Sequence, residues 1–134
     1  PYGLMLAARG HIKHEQMRRA ALYYYAARVR TNFDSLRFPA SNPSALKHER
    51  YFSQLARQLS TPVYNWVFAK PERFDDVMKS LREWEHDTAY AYKPLYPTPK
   101  ARPHKEWPKL HKKARDQTLA QMKKRAKAYR QQQQ

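Results

Sequence analysis

Glycine occurs only twice in the 134 residues, at Gly3 and Gly10, so beyond position 10 the chain lacks the residue that tight β-hairpin turns use to reach positive φ. Proline occurs ten times, and apart from Pro1 it falls between stretches of helical composition. Scarce Gly combined with punctuating Pro predicts helices joined by extended segments rather than hairpin-linked strands. The expected class is all-α: a few long helices, a small central helical hairpin and Pro-rich extended segments. Apolar side chains are concentrated in the central two-thirds, enough for a small core there and no more.

Four segments follow from the patterning. Residues 1–37 read as one basic helix over about Leu4 to Leu36, rich in Ala, Leu, Met and Arg with no internal Pro. Its apolar face is broad, and Tyr23, Tyr24 and Tyr25 cover most of the circumference, suited to packing on a partner protein or, less so, to stacking on bases. Residues 38–92 read as a small helical core. After a Pro-broken link, Ser44 caps a helix to Leu59 with Leu46, Phe52, Leu55, Ala56 and Leu59 as its stripe. Pro62 stops it, and 62–68 form an extended apolar plug around Trp66, the residue most expected to be buried. A second helix opens at Pro71-Glu72, with Phe74, Val77, Met78, Leu81 and Trp84 at helical spacing. Residues 93–109 hold Pro94, Pro97, Pro99, Pro103 and Pro108 and read as an extended strap. Residues 110–134 read as a basic helix and tail with few large apolar groups, prone to fray alone.

Charge narrows the function. From Lys100 to Gln134 twelve bases face two acids, net +10 of the whole chain's +16; residues 1–37 carry net +5 and 38–99 only +1. A charge concentrated in this way points to a polyanionic partner. Candidate phosphate contacts are Arg28, Arg30 and Arg37 in the first segment. Lys100, Arg102, Lys105 and Lys109 follow in the strap, and Lys112, Lys113, Arg115, Lys123, Lys124, Arg125, Lys127 and Arg130 in the last helix. Backbone binding by counterion release needs no base-reading motif. A merely solvated tail, or one facing anionic lipid, is the competing reading.

Other chemistries find little support. Cysteine is absent, which removes disulfides, thiol nucleophiles and thiolate zinc sites. The six histidines include no i, i+4 pair, and only His11 and His14 lie close, so no metal or other cofactor is expected. Glu83, Glu85 and Asp87 cluster, but solvated charge or pairing with Arg82 explains them better than acid-base catalysis. Two glycines cannot build a phosphate loop. The longest weakly charged apolar run, 20–27, is far short of the roughly 20 residues that cross a bilayer. The basic, acid-poor start has the flavour of a mitochondrial transit segment, although its lack of Ser and its aromatics favour a mature helix.

With these residues in view, the centre of the chain resembles the small-subunit mitochondrial ribosomal protein family numbered thirty-three. The likeness lies in Phe52-Ser53-Gln54-Leu55, then Tyr64-Asn65-Trp66, then Phe74 and Val77-Met78-Lys79-Ser80-Leu81-Arg82, followed by a lysine-rich end. The first helix and the strap stand outside the family pattern. The resemblance implies a helical, non-catalytic component of the small ribosomal subunit in the mitochondrial matrix. Its implied partners are ribosomal RNA and other mitochondrial ribosomal proteins, with no small-molecule substrate. Phe52, Leu55, Tyr64, Trp66, Phe74, Met78 and Leu81 are the expected core anchor, from which basic arms order on RNA. The alternative is an accessory subunit of a respiratory-chain or ATP synthase complex.

Overall fold

The computed structural model describes residues 2–38, 43–87 and 102–132. Among them lie five α-helices and no strand, as the all-α expectation requires. They are α1 (Tyr2–Lys13), α2 (Met17–Arg37), α3 (Pro43–Val67), α4 (Pro71–Asp87) and α5 (Trp107–Gln132), the last entered through a 3-10 turn at His104–Glu106.

The centre of the molecule is α2, which packs on each of the other four helices. Its buried residues lie all around its axis, and Ala20, Ala21, Ala26 and Ala27 let neighbouring backbones come close while Tyr24, Tyr25, Val29 and Phe33 fill the larger gaps. One core cluster draws residues from all five helices. The tyrosine run therefore packs within the chain: Tyr24 and Tyr25 are buried edge to face at 5.2 Å, and Tyr23 stacks on His11 at 5.2 Å.

Four sequence expectations are corrected here. The single N-terminal helix is two, because the chain turns back at His14–Gln16 and α1 folds along α2. The turn has the hydrogen bonds of a helix-ending motif, Gln16 N–H to His11 O at 2.8 Å and Glu15 N–H to Ile12 O at 3.0 Å, with Glu15 at φ 58° where Gly is usual. No Gly or Pro marks it. What favours it is the core contact that α1 gains through Met5 and Ala8, both fully buried.

Second, Pro62 lies inside α3, and the plug at 62–68 is helix as far as Val67. A Pro in a helix interior forfeits a hydrogen bond and crowds the preceding turn, at about 3 kcal/mol. Val63 and Val67 are both fully buried and continue the register of Phe52, Leu55, Ala56 and Leu59. At about 1.5–3 kcal/mol for each buried Val, burial outweighs the defect.

Third, Trp66 is half-buried at the edge of the core, under the Arg73 guanidinium at 4.6 Å, while Arg73 Nη1 donates to the Trp66 carbonyl at 3.2 Å. Tyr64 is likewise half-buried, whereas Phe52, Leu55, Phe74, Met78 and Leu81 are buried as expected. The helix α4 begins at Pro71 as its sequence suggested, and packs on α2 as well as on α3. Arg18 of α2 ties it down, with Nε on Asp76 Oδ2 at 2.6 Å and Nη2 on Ser80 Oγ at 2.8 Å.

Fourth, the strap ends before Trp107, because Pro108 sits in the first turn of α5, where its missing N–H costs nothing. The helix α5 is no frayed tail: His111, Ala114, Thr118, Leu119, Met122 and Ala126 form a buried stripe, and Thr118 Oγ1 accepts from Asn32 Nδ2 of α2 at 2.9 Å. Pro94, Pro97, Pro99, Lys100 and the side chain of Leu46 lie outside the described residues.

Candidate nucleic-acid interface

The small buried residues of α5 fix one face of the helix against α2, and that sets where its cations point. At 3.6 residues per turn, Lys109, Lys112, Lys113, Lys123, Lys124, Lys127 and Arg130 fall within an arc of roughly 120° opposite the buried stripe. All seven are exposed, and Asp116 is the one acid among them. From Lys109 to Arg130 the row runs about 32 Å along the helix axis. Seven of the nine Lys and Arg of α5 thus form a single cationic ridge, held rigid by the core beneath it.

The other candidates divide. Arg115 is half-buried and falls on the side of the buried stripe, near Met122 and Ala126 in helical register, not on the ridge. Arg125 belongs to a different face, its guanidinium 5.7 Å from the Tyr64 ring centre. Arg28 is half-buried with its guanidinium 5.9 Å from the Tyr24 ring centre. Lys105 is exposed in the turn before α5, and Arg102 beside it is engaged by Glu106, Nε to Oε2 at 2.8 Å. Lys100 is outside the described residues.

Arg30 and Arg37, expected at a phosphate surface, are not at one. Arg30 is 3% exposed and lies over the Trp84 ring at 5.0 Å. Arg37 is 0% exposed: it pairs with Asp34 at 3.1 Å and is boxed by the rings of Phe33, Phe38 and Trp107 at 4.2, 4.5 and 4.5 Å. The box joins the end of α2 to the start of α5, and the Arg102 N–H to Arg37 carbonyl bond at 2.7 Å closes the same corner. A buried guanidinium needs a carboxylate and ring faces to replace water, and here it has both. Sequence reading counts such an Arg as surface charge, although Asp34 three residues away among aromatics is a signal of burial.

Among the described residues no group of three or more His, Asp or Glu converges as a metal site requires, and no helix is long and apolar enough to cross a membrane. Glu83 is exposed, while the side chains of Glu85 and Asp87 lie outside the described set. Of the residues that carried the family resemblance, Phe52, Leu55, Phe74, Val77, Met78 and Leu81 face the core.

Fold and surface together define a small all-α protein that presents a basic helix on a packed scaffold. Comparison with protein-family models, with curated proteins and with solved structures finds no match to this chain.

Proposed function

We propose that the protein is a structural component of the mitochondrial small ribosomal subunit, binding ribosomal RNA phosphates through α5 and neighbouring proteins through its remaining surface. The observation that carries this reading is the ridge of seven exposed cations on α5. A row of Lys and Arg on a rigid helix neutralises several phosphates at once and releases their counterions, and it reads no base. The role is scaffolding, without turnover. The mitochondrial ribosome enters through the likeness at Phe52-Ser53-Gln54-Leu55, Tyr64-Asn65-Trp66 and the Phe74 to Arg82 helix.

The ridge defines the variant. Lys123→Ala, Lys124→Ala and Lys127→Ala combined remove three ridge charges and leave Arg125, which faces elsewhere, in place. RNA affinity falls, and the slope of log affinity against log salt becomes shallower by about 2–3, with circular dichroism unchanged. An unaltered slope removes the ridge from the interface. Assembly is tested by gradient sedimentation of tagged protein from detergent-lysed mitochondria. Co-migration with the small subunit, lost after ribonuclease, is the expected result. A ribonuclease-insensitive peak with an inner-membrane complex overturns it in favour of the accessory-subunit reading.

A further inference from the structure

A second cationic feature lies apart from the ridge. Between α2, α3 and α5 runs an open cleft of about 500 Å³, and each helix contributes one arginine to its lining: Arg28, Arg57 and Arg125. No acid is among its lining residues. None of the three arginines takes part in an ion pair with a described residue. Three arginines elsewhere in the fold do have carboxylate partners, at Arg18–Asp76, Arg37–Asp34 and Arg102–Glu106.

Like charges brought to one cleft without a counter-charge repel each other, and they are stabilised by an anion from outside. Guanidinium forks match the oxygens of phosphate, and three of them on separate helices suit a tetrahedral group better than a planar carboxylate. Two are steadied by rings: Arg28 lies over Tyr24 and Arg125 over Tyr64, whose hydroxyls are 3.3 Å apart in the same wall. The cleft exceeds the size of a phosphate ion and falls in the usual range for small organic ligands, roughly 300–1,000 Å³.

We propose that this cleft binds the phosphate of a nucleotide through Arg28, Arg57 and Arg125, with the organic body in the rest of the cleft beside the half-buried Tyr64. The nucleotide is free or part of an RNA strand; the second source rests on the function proposed above, the first does not.

The test is calorimetric titration of the full chain with AMP, inorganic phosphate and adenosine. AMP and phosphate bind, and adenosine does not. Arg57→Gln and Arg125→Gln each weaken AMP roughly tenfold or more, as expected for a lost charge-assisted hydrogen bond. Lys124→Gln, on the ridge, changes AMP affinity by less than about twofold, because an exposed charge away from the cleft acts only through screened solvent. Absence of AMP binding, equal binding of adenosine, or equal weakening by Lys124→Gln overturns the site. Arg57 is exposed, so Arg57→Gln leaves the fold intact, as circular dichroism checks. Competition then locates the nucleotide within a proposal already supported. RNA displaced by AMP and weakened by Arg57→Gln places the phosphate in a strand, and RNA indifferent to both makes the ligand a free nucleotide. Loss of RNA binding in the triple ridge variant with AMP binding retained separates the two sites.

Discussion

Arg37 shows how one side chain changes role between sequence and fold. With 0% exposure and Asp34 at 3.1 Å, it is a buried ion pair inside an aromatic box. Arg37→Ala removes the guanidinium that pairs with the buried Asp34 carboxylate and fills the aromatic box, and denaturant unfolding is expected to show a loss of about 3–5 kcal/mol. Replacing both members with apolar groups of similar volume, Arg37→Met with Asp34→Leu, removes the pair as a unit and is expected to restore most of that loss. If the double variant is no more stable than the single one, the ring contacts and not the charge pair hold this corner. The exposed Arg18–Asp76 pair is a contrast. Its hydrogen bond, more than charge alone, holds the Asp76 carboxyl below its ordinary range, but with both side chains about half exposed the pair is worth at most about 1 kcal/mol.

At the scale of elements, helix existence was legible and helix ends were not. The spacing of Phe74, Val77, Met78 and Leu81 specified α4 from Pro71 onward because a regular apolar stripe and a helix-start Pro agreed. In α3 the two signals disagreed: Pro62 argued for a stop while Val63 and Val67 continued the stripe, and the stripe prevailed. Pro62→Ala restores the missing hydrogen bond. The gain of about 3 kcal/mol is partly offset by the freer unfolded chain, leaving about 2 kcal/mol of added stability in thermal or urea unfolding. A destabilising effect there would mean that Pro62 shapes a bend on which the packing of Val63 and Val67 depends. The turn at Glu15 was invisible for a different reason. A Glu at positive φ is tolerated only because α1 gains core contacts by folding back, and those are tertiary.

At the scale of the whole molecule, α2 is the hub and its tyrosines make that testable. Burial first, and then the neighbouring Tyr64, raise the Tyr24 and Tyr25 phenols well above their ordinary range, against a smaller opposing pull from Arg28. A raised folded pKa means the folded chain holds the proton more tightly than the unfolded one. The stabilisation is complete below the unfolded value of about 10 and is lost as pH rises from there through the folded value. Changes in the net charge of a +16 chain act on parent and variant alike in that window. The comparison therefore uses Tyr25→Phe, whose missing phenol sits where the Tyr25 hydroxyl is buried without a hydrogen-bond partner. The urea midpoint of Tyr25→Phe is expected to fall less steeply above about pH 10 than that of the parent chain. Parallel curves would mean that Tyr25 is not buried at the hub.

The sequence by itself determined the helical class, through two glycines confined to the first ten positions and prolines that, Pro62 apart, fall outside the apolar stripes. It also determined the cationic balance of the C-terminal third, the apolar face of α4 and most of the anchor from Phe52 to Leu81. These are properties of composition and local periodicity, which do not depend on neighbours. Tertiary structure alone decided that α2 is the centre, that Arg30 and Arg37 are buried, and that the cations of α5 form one ridge while Arg125 turns to a cleft with Arg28 and Arg57. Each of those depends on which face of a helix meets another helix. On α2 and α5, whose contacting faces rely heavily on Ala, Thr and Tyr, the apolar pattern is too weak to name that face before the helices pack.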